Sequence, residues 1–167
     1  MVMVLFDLGE TLESGGALRD GALETLQELA ALRDGACPAV VLCLLSDTRD
    51  PADAADVAAV RAEYLDLLGE LGIRGFFEPL SQRVTLSAEV GVRKPAAAAF
   101  RAAVTRAGTA LRYADVVFVT ENAGHVRAAR RLGMTAVQVR PGGAPGAAGA
   151  ELPDVLPVVR DLVAAAG

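Results

Sequence analysis

Long apolar runs are missing from this chain of 167 residues. None reaches the roughly 18 to 20 uncharged apolar residues of a membrane-spanning helix, and the longest, 38–45, has the length of a strand. The mean hydropathy of +0.38 therefore reflects alanine content and not a membrane segment. A basic n-region is lacking before Asp7, so no signal peptide is expected. Cysteine is scarce too: Cys37 and Cys43 have no CxxC or Cys/His spacing, and the single histidine, His125, is far from both. Cys43 lies in an apolar run and is expected to be a small buried side chain in a reducing cytosol. Basic residues are outnumbered, 16 against 21 acidic, for a net charge of −5. That balance argues against nucleic acid or another polyanion held on a broad basic face. No GxGxxG follows any apolar run, which removes a dinucleotide-binding domain. What remains is one small soluble cytoplasmic domain spanning 1–167, long enough to bury a core without metal or disulfide.

Within that frame, short apolar runs alternate with longer amphipathic ones. The runs 2–6, 39–45, 84–86, 116–119 and 136–139 are apolar without alternation, which predicts strands buried on both faces of a parallel sheet. Between them, Leu23, Leu26, Leu29 and Ala30 make one helical stripe. Val57, Val60, Tyr64, Leu67, Leu68 and Leu71 make a second, with Asp50-Pro51 as its expected start. Further helices are expected from Pro95 through Val104, from 124 to a stop at Gly133, and over 154–165. This order predicts a three-layer, Rossmann-like α/β fold around a parallel sheet of about five strands. The segment 141–150, PGGAPGAAGA, reads as a flexible connection to the last helix.

In such sheets ligands bind beyond the carboxyl ends of the strands. Asp7 follows the first strand, Ser46-Asp47-Thr48 the second, and Thr120-Glu121-Asn122 the fourth, while Lys94 precedes the third helix. Two carboxylates, a hydroxyl and an ammonium thus converge on one edge. Asp7 and Glu121 are oxygen donors of the kind Mg²⁺ takes. Ser46 and Lys94 suit a transferring phosphoryl group, and Asp7 suits a carboxylate nucleophile.

Taken together, Val4-Leu5-Phe6-Asp7-Leu8-Gly9-Glu10-Thr11-Leu12, Ser46 at a strand end, Gly91-Val92-Arg93-Lys94-Pro95, and Val116 to Glu121 with its following helix resemble, in order, the four motifs of the haloacid dehalogenase (HAD) superfamily. That resemblance implies an Asp-nucleophile phosphohydrolase. Asp7 would be nucleophile and Mg²⁺ ligand, the Gly9 main-chain carbonyl and Glu121 further ligands, and Ser46 and Lys94 the phosphoryl-binding pair. Substrate would be phosphorylated, with Asp47 and Arg93 at its edge. Departures are also visible. Gly9 stands where these phosphatases carry a general-acid Asp, whose loss typically costs about 10² to 10⁴ in rate. Thr120-Glu121 replaces the usual Gly-Asp or Asp-Asp pair. Glu10 is expected to be a solvated turn carboxylate, His125 to cap or pack its helix, and Arg49 to be solvated.

The intervals from Asp7 to Ser46 and from Ser46 to Lys94 leave no room for a cap domain. The first holds one loop and one helix, and the loop 76–83 is the candidate for a small flap. By the resemblance, an open site suits a large substrate or one enclosed by a neighbouring subunit. A degenerate member that binds a phosphorylated ligand or protein partner without turnover is the competing reading. A phospho-acceptor receiver domain fails because the acidic residue follows Lys94 and no acidic pair ends the first strand.

Overall fold

The structure, a computed structural model, describes residues 1–108, 111–141 and 149–166. Five strands form its sheet: β1 (Val2–Phe6), β2 (Val40–Ser46), β3 (Val84–Leu86), β4 (Val116–Thr120) and β5 (Thr135–Gln138). All neighbours are parallel, in the order β3-β2-β1-β4-β5. The chain starts in the middle, builds to one edge, and then crosses back to build the other side. β1 therefore lies between β2 and β4, and the crevice at its carboxyl end is where the winding direction reverses.

Every residue of β1, β2, β3 and β4 is buried, as their unbroken apolar runs require. Alternation sorts them into two layers. Val2, Val4 and Phe6 face helices α1 (Ala22–Ala31) and α5 (Val155–Ala166), together with Tyr64 and Leu68 of α2 (Ala54–Glu70). Met3 and Leu5 face α3 (Ala97–Ala107) and α4 (Ala123–Arg131). The few aromatics concentrate here. Phe6, Phe77, Phe100 and Phe118 are fully buried, and the rings of Phe100 and Phe118 meet edge to face at 5.1 Å.

Several expected boundaries move for identifiable reasons. Helix α2 starts at Ala54 because the Asp53 side chain accepts from Asp56 N–H at 2.9 Å, whereas Asp50 turns to Arg93. Helix α3 starts at Ala97, since Pro95 sits in a turn closed by Ala96 N–H on the Arg93 carbonyl. The stop after α4 falls where expected: Gly133 takes φ +91° and its N–H reaches the Arg130 carbonyl.

Two further departures concern the site. The first interval holds two hairpins as well as a helix, Glu13–Ser14 with Ala17–Leu18 and Arg33–Asp34 with Cys37–Pro38. The first turns through Gly15 and Gly16, both at positive φ, as a two-residue hairpin turn demands. The segment 76–83 is not a flap over the site. Phe77 is fully buried, Arg61 donates to the Leu80 carbonyl at 2.9 Å, and the chain then enters the amino end of β3, the sheet edge opposite Asp7. Most of the expected connection 141–150, residues 142–148, lies outside the described residues. No helix among them is long and apolar enough to cross a membrane.

Candidate active site

Asp7 continues the ladder of β1, its N–H donating to the Val119 carbonyl at 2.9 Å. This fixes the backbone from which its carboxylate projects. Oδ1 accepts the Leu8 N–H at 2.9 Å, and Oδ2 lies 2.8 Å from Lys94 Nζ. Lys94 also donates to the Leu45 carbonyl at 2.7 Å. Both residues are buried, 8% and 5% exposed, so the pair is desolvated and depends on these extra hydrogen bonds. Burial pushes the Asp7 carboxyl up, but neighbouring His125, the Lys94 ammonium and the Leu8 N–H together outweigh it. The net result is a carboxyl below its ordinary value. An ammonium has three donors, and Lys94 uses two on protein, leaving one for a ligand.

Ser46 ends β2 with its hydroxyl 2.6 Å from the hydroxyl of Tyr64 on α2. Asp47 accepts the Lys94 N–H at 3.0 Å and so ties the β2 loop to the segment carrying the lysine. A cavity of about 460 Å³ opens above these groups, lined by Asp7, Gly9, Ser46, Asp47, Tyr64 and Lys94 among others. Five of the predicted residues, Asp7, Gly9, Ser46, Asp47 and Lys94, thus share one cavity although they come from three separate parts of the chain.

The β4 side is built differently. Thr11 donates to Glu121 Oε2 at 2.8 Å and accepts the Glu121 N–H at 3.1 Å. The fully buried Thr120 hydroxyl lies 3.1 Å from the same Glu121 oxygen and 3.3 Å from Asp7 Oδ2, so its proton serves two carboxylates. The sequence places Thr120 beside Glu121 and Thr11 in the first motif but gives neither hydroxyl a role, because neither carries charge or a metal-ligand spacing. His125 Nδ1 stands 3.8 Å from Asp7 Oδ2, beyond hydrogen-bond distance. Among the described residues this buried nitrogen has no hydrogen-bond partner. The cap of α4 is instead Asn122, which accepts from Gly124 and His125 N–H groups.

Gly9 lines the cavity with an unoccupied side-chain direction, since a Cβ there meets nothing within 4 Å. Glu10, at φ +55°, directs its carboxylate to the Ser14 hydroxyl at 3.1 Å on the hairpin and not toward Lys94. Arg93 pairs with Asp50 at 2.8 Å, and Arg49 pairs with Asp56 at 2.6 Å. Both arginines are committed on the surface and do not enter the cavity lining. The Arg49 guanidinium holds Asp56 down to about 2.

Among the described residues no three His, Cys, Asp or Glu side chains form a ready metal cage. The donors present are nevertheless the right kind for a hard cation. Two carboxylates, Asp7 and Glu121, share one bridging hydroxyl, and Gly9 lines the cavity with Asp7, although Glu121 stands outside that lining. Magnesium characteristically takes one or two carboxylates and fills its other positions with water. The residues fit that ion in type.

No known family model and no curated protein matches the chain. Solved structures do match. A crystal structure of an uncharacterised protein from Corynebacterium glutamicum aligns with a TM-score of 0.59 at 22% identity, over 98% of this chain and 96% of that one. YfnB from Bacillus subtilis, named as a HAD-hydrolase and described as bound to magnesium with interdomain movement, aligns with a TM-score of 0.60 at 14% identity. That alignment covers 87% of this chain and 57% of YfnB. Likeness at these identities carries the fold: a HAD-like, Rossmann-type three-layer arrangement around five parallel strands.

Proposed function

We propose that the protein is a Mg²⁺-dependent hydrolase of the HAD type, phosphatase-like, working through an aspartyl-phosphate on Asp7 in the cytoplasm. The observation that carries this reading is the buried Asp7–Lys94 pair, 2.8 Å apart, facing Ser46 across one cavity at the reversal point of the sheet. Magnesium bound by YfnB, on a shared fold, supports the choice of ion.

In this mechanism a phosphoryl group seats between the remaining Lys94 donor and the Ser46–Tyr64 hydroxyls. The Asp7 carboxylate, kept ionised by its neighbours, attacks phosphorus in line with the leaving oxygen, forming the acyl phosphate that water then hydrolyses. Lys94 neutralises charge on the transferring group without reorganising. A divalent ion held by Asp7, the Gly9 carbonyl and Glu121 would supply further charge neutralisation when bound. Leaving-group protonation is the weak step, because position 9 has no side chain and Glu10 faces the hairpin. Substrates whose leaving groups are stable as anions are favoured. With no cap between the motifs, the site suits a large phosphorylated molecule or one enclosed by a second subunit.

The test is hydrolysis of an activated aryl phosphate with and without Mg²⁺. Turnover that requires Mg²⁺ and disappears in Asp7→Asn supports the reading; turnover unchanged in that variant sinks the nucleophile. The lack of a side chain at position 9, with the Glu10 carboxylate at the cavity rim bonded to Ser14, also favours a second reading, a phospholigand-binding domain without turnover. Wild-type protein silent on the activated ester, yet binding inorganic phosphate, would select it.

A further inference from the structure

The hydroxyl of Tyr64 is not explained by packing. Tyr64 belongs to the α2 stripe that meets the sheet, alongside Val60 and Leu68, and its ring lies in the same apolar cluster as Phe6 and Leu44. A phenylalanine would fill that space equally well. The extra oxygen instead reaches Ser46 Oγ at 2.6 Å, and both residues line the cavity shared with Asp7 and Lys94. Among the described residues neither hydroxyl has another hydrogen-bond partner.

Counting protons shows what the pair offers. Two hydroxyls carry two protons, and their mutual hydrogen bond consumes one. One proton remains and has only the cavity to go to. The phenol stays protonated because burial, with Asp7 and Glu13 nearby, pushes its pKa above the ordinary value, against the pull of the Ser46 hydrogen bond. A tyrosine that donates to Ser46 leaves the serine proton for a ligand oxygen and holds its Oγ in a single orientation. A lone buried serine would be free to turn that proton to a main-chain carbonyl.

On the phosphoryl-site reading above, we infer that Tyr64 is a positioning residue: its hydroxyl fixes Ser46 so that the pair donates one hydrogen bond to a phosphoryl oxygen. Tyr64 acts through Ser46, and its effect therefore depends on Ser46 being present. The role belongs to ground-state and transition-state binding of the phosphoryl group and not to proton transfer.

The chain provides its own reporter. It contains no tryptophan and two tyrosines, so Tyr113→Phe leaves Tyr64 as the sole emitter. Inorganic phosphate, titrated in magnesium buffer, is expected to change that emission saturably. Calorimetry then compares phosphate affinity in wild type, Tyr64→Phe, Ser46→Ala and the double variant, with each fold checked by circular dichroism. Tyr64→Phe is expected to weaken phosphate about fivefold, the size of one neutral hydrogen bond. In the Ser46→Ala background the same change is expected to cost less than about twofold, because coupled neighbours are not additive. Unchanged affinity in Tyr64→Phe, or a full fivefold loss persisting without Ser46, overturns the positioning role alone. A wild-type chain that binds no phosphate overturns the phosphoryl-site reading together with it. Because Tyr64→Phe preserves the ring, and the emission titration alters neither residue of the pair, the result does not depend on whether Ser46→Ala folds.

Discussion

On one side of the crevice above β1, geometry is set by charge; on the other it is set by hydroxyls. Toward β2, a buried ammonium bridges Asp7 and the Leu45 carbonyl, and Asp47 clamps the main chain of Lys94. Toward β4, Thr11 and Thr120 share out the Glu121 carboxylate, and His125 Nδ1 has no hydrogen-bond partner among the described residues. The β2 side joins a carboxylate to a buried ammonium, a pair of full charges, whereas the Glu121 carboxylate on the β4 side meets neutral hydroxyl and amide donors. Under the proposed function, the difference separates two tasks. Holding and attacking a phosphoryl group requires a fixed arrangement of groups. Binding an ion that keeps most of its waters does not, and the β4 side can tolerate a longer carboxylate and a histidine.

If this division is right, variants on the two sides should differ in kind as well as size. The largest effect is expected from Asp7→Asn, which removes the nucleophile and should lower turnover of an aryl phosphate by about four orders of magnitude. Lys94→Met should lower kcat/KM by about 10² to 10³, and it carries a pH signature. Asp7 is held below its ordinary value of 3.8, so its contribution to stability is complete above that value and is lost as pH falls through the folded one. Without the ammonium, one of the causes that lower the carboxyl is removed. The fall in stability on acidification, followed by circular dichroism, should then become shallower, with the variant's deficit largest near neutral pH and smallest in acid. Glu121→Gln should instead leave phosphate affinity intact and raise the Mg²⁺ concentration needed for half-activation by about 10- to 100-fold. An equal loss of phosphate binding in Glu121→Gln and Lys94→Met would erase the distinction between the sides. The smallest change is a gain. Gly9→Asp, entering open space, should raise turnover of poorly activated alkyl phosphates about tenfold while leaving activated aryl esters little altered.

Much of this architecture is legible from the chain alone, for physical reasons. Strands buried on both faces must be apolar without alternation, so 2–6, 39–45 and 116–119 stand out against their amphipathic neighbours, while 84–86, interrupted by Thr85, gives only a weak signal. Polar residues placed directly after such strands have one place to go, which is why Asp7 and Ser46 can be paired in advance across a whole helix. The hairpin Glu13–Ser14 with Ala17–Leu18 escapes because two-residue strands have no periodicity to detect. Only the Gly15-Gly16 pair signals it. Tyr64 escapes for another reason: at helical spacing its ring obeys the same pattern as Val60 and Leu68, and periodicity cannot show where a hydroxyl at the far end of a ring arrives. Asp50 and Asp53 are equally good caps on paper; Arg93, distant in sequence, draws the first away.

The central place of β1 also has a consequence in time. Its backbone is laddered on both sides, by β2 and by β4, so its amides exchange with solvent only when the whole sheet opens. The hairpin that brings Glu13 to the cavity is held by two residues on each strand and opens far more often. Deuterium uptake should therefore be slowest in the strand that ends at Asp7 and fast a few residues later. On this expectation the Asp7 carboxylate keeps its station while the rim beside it opens and closes.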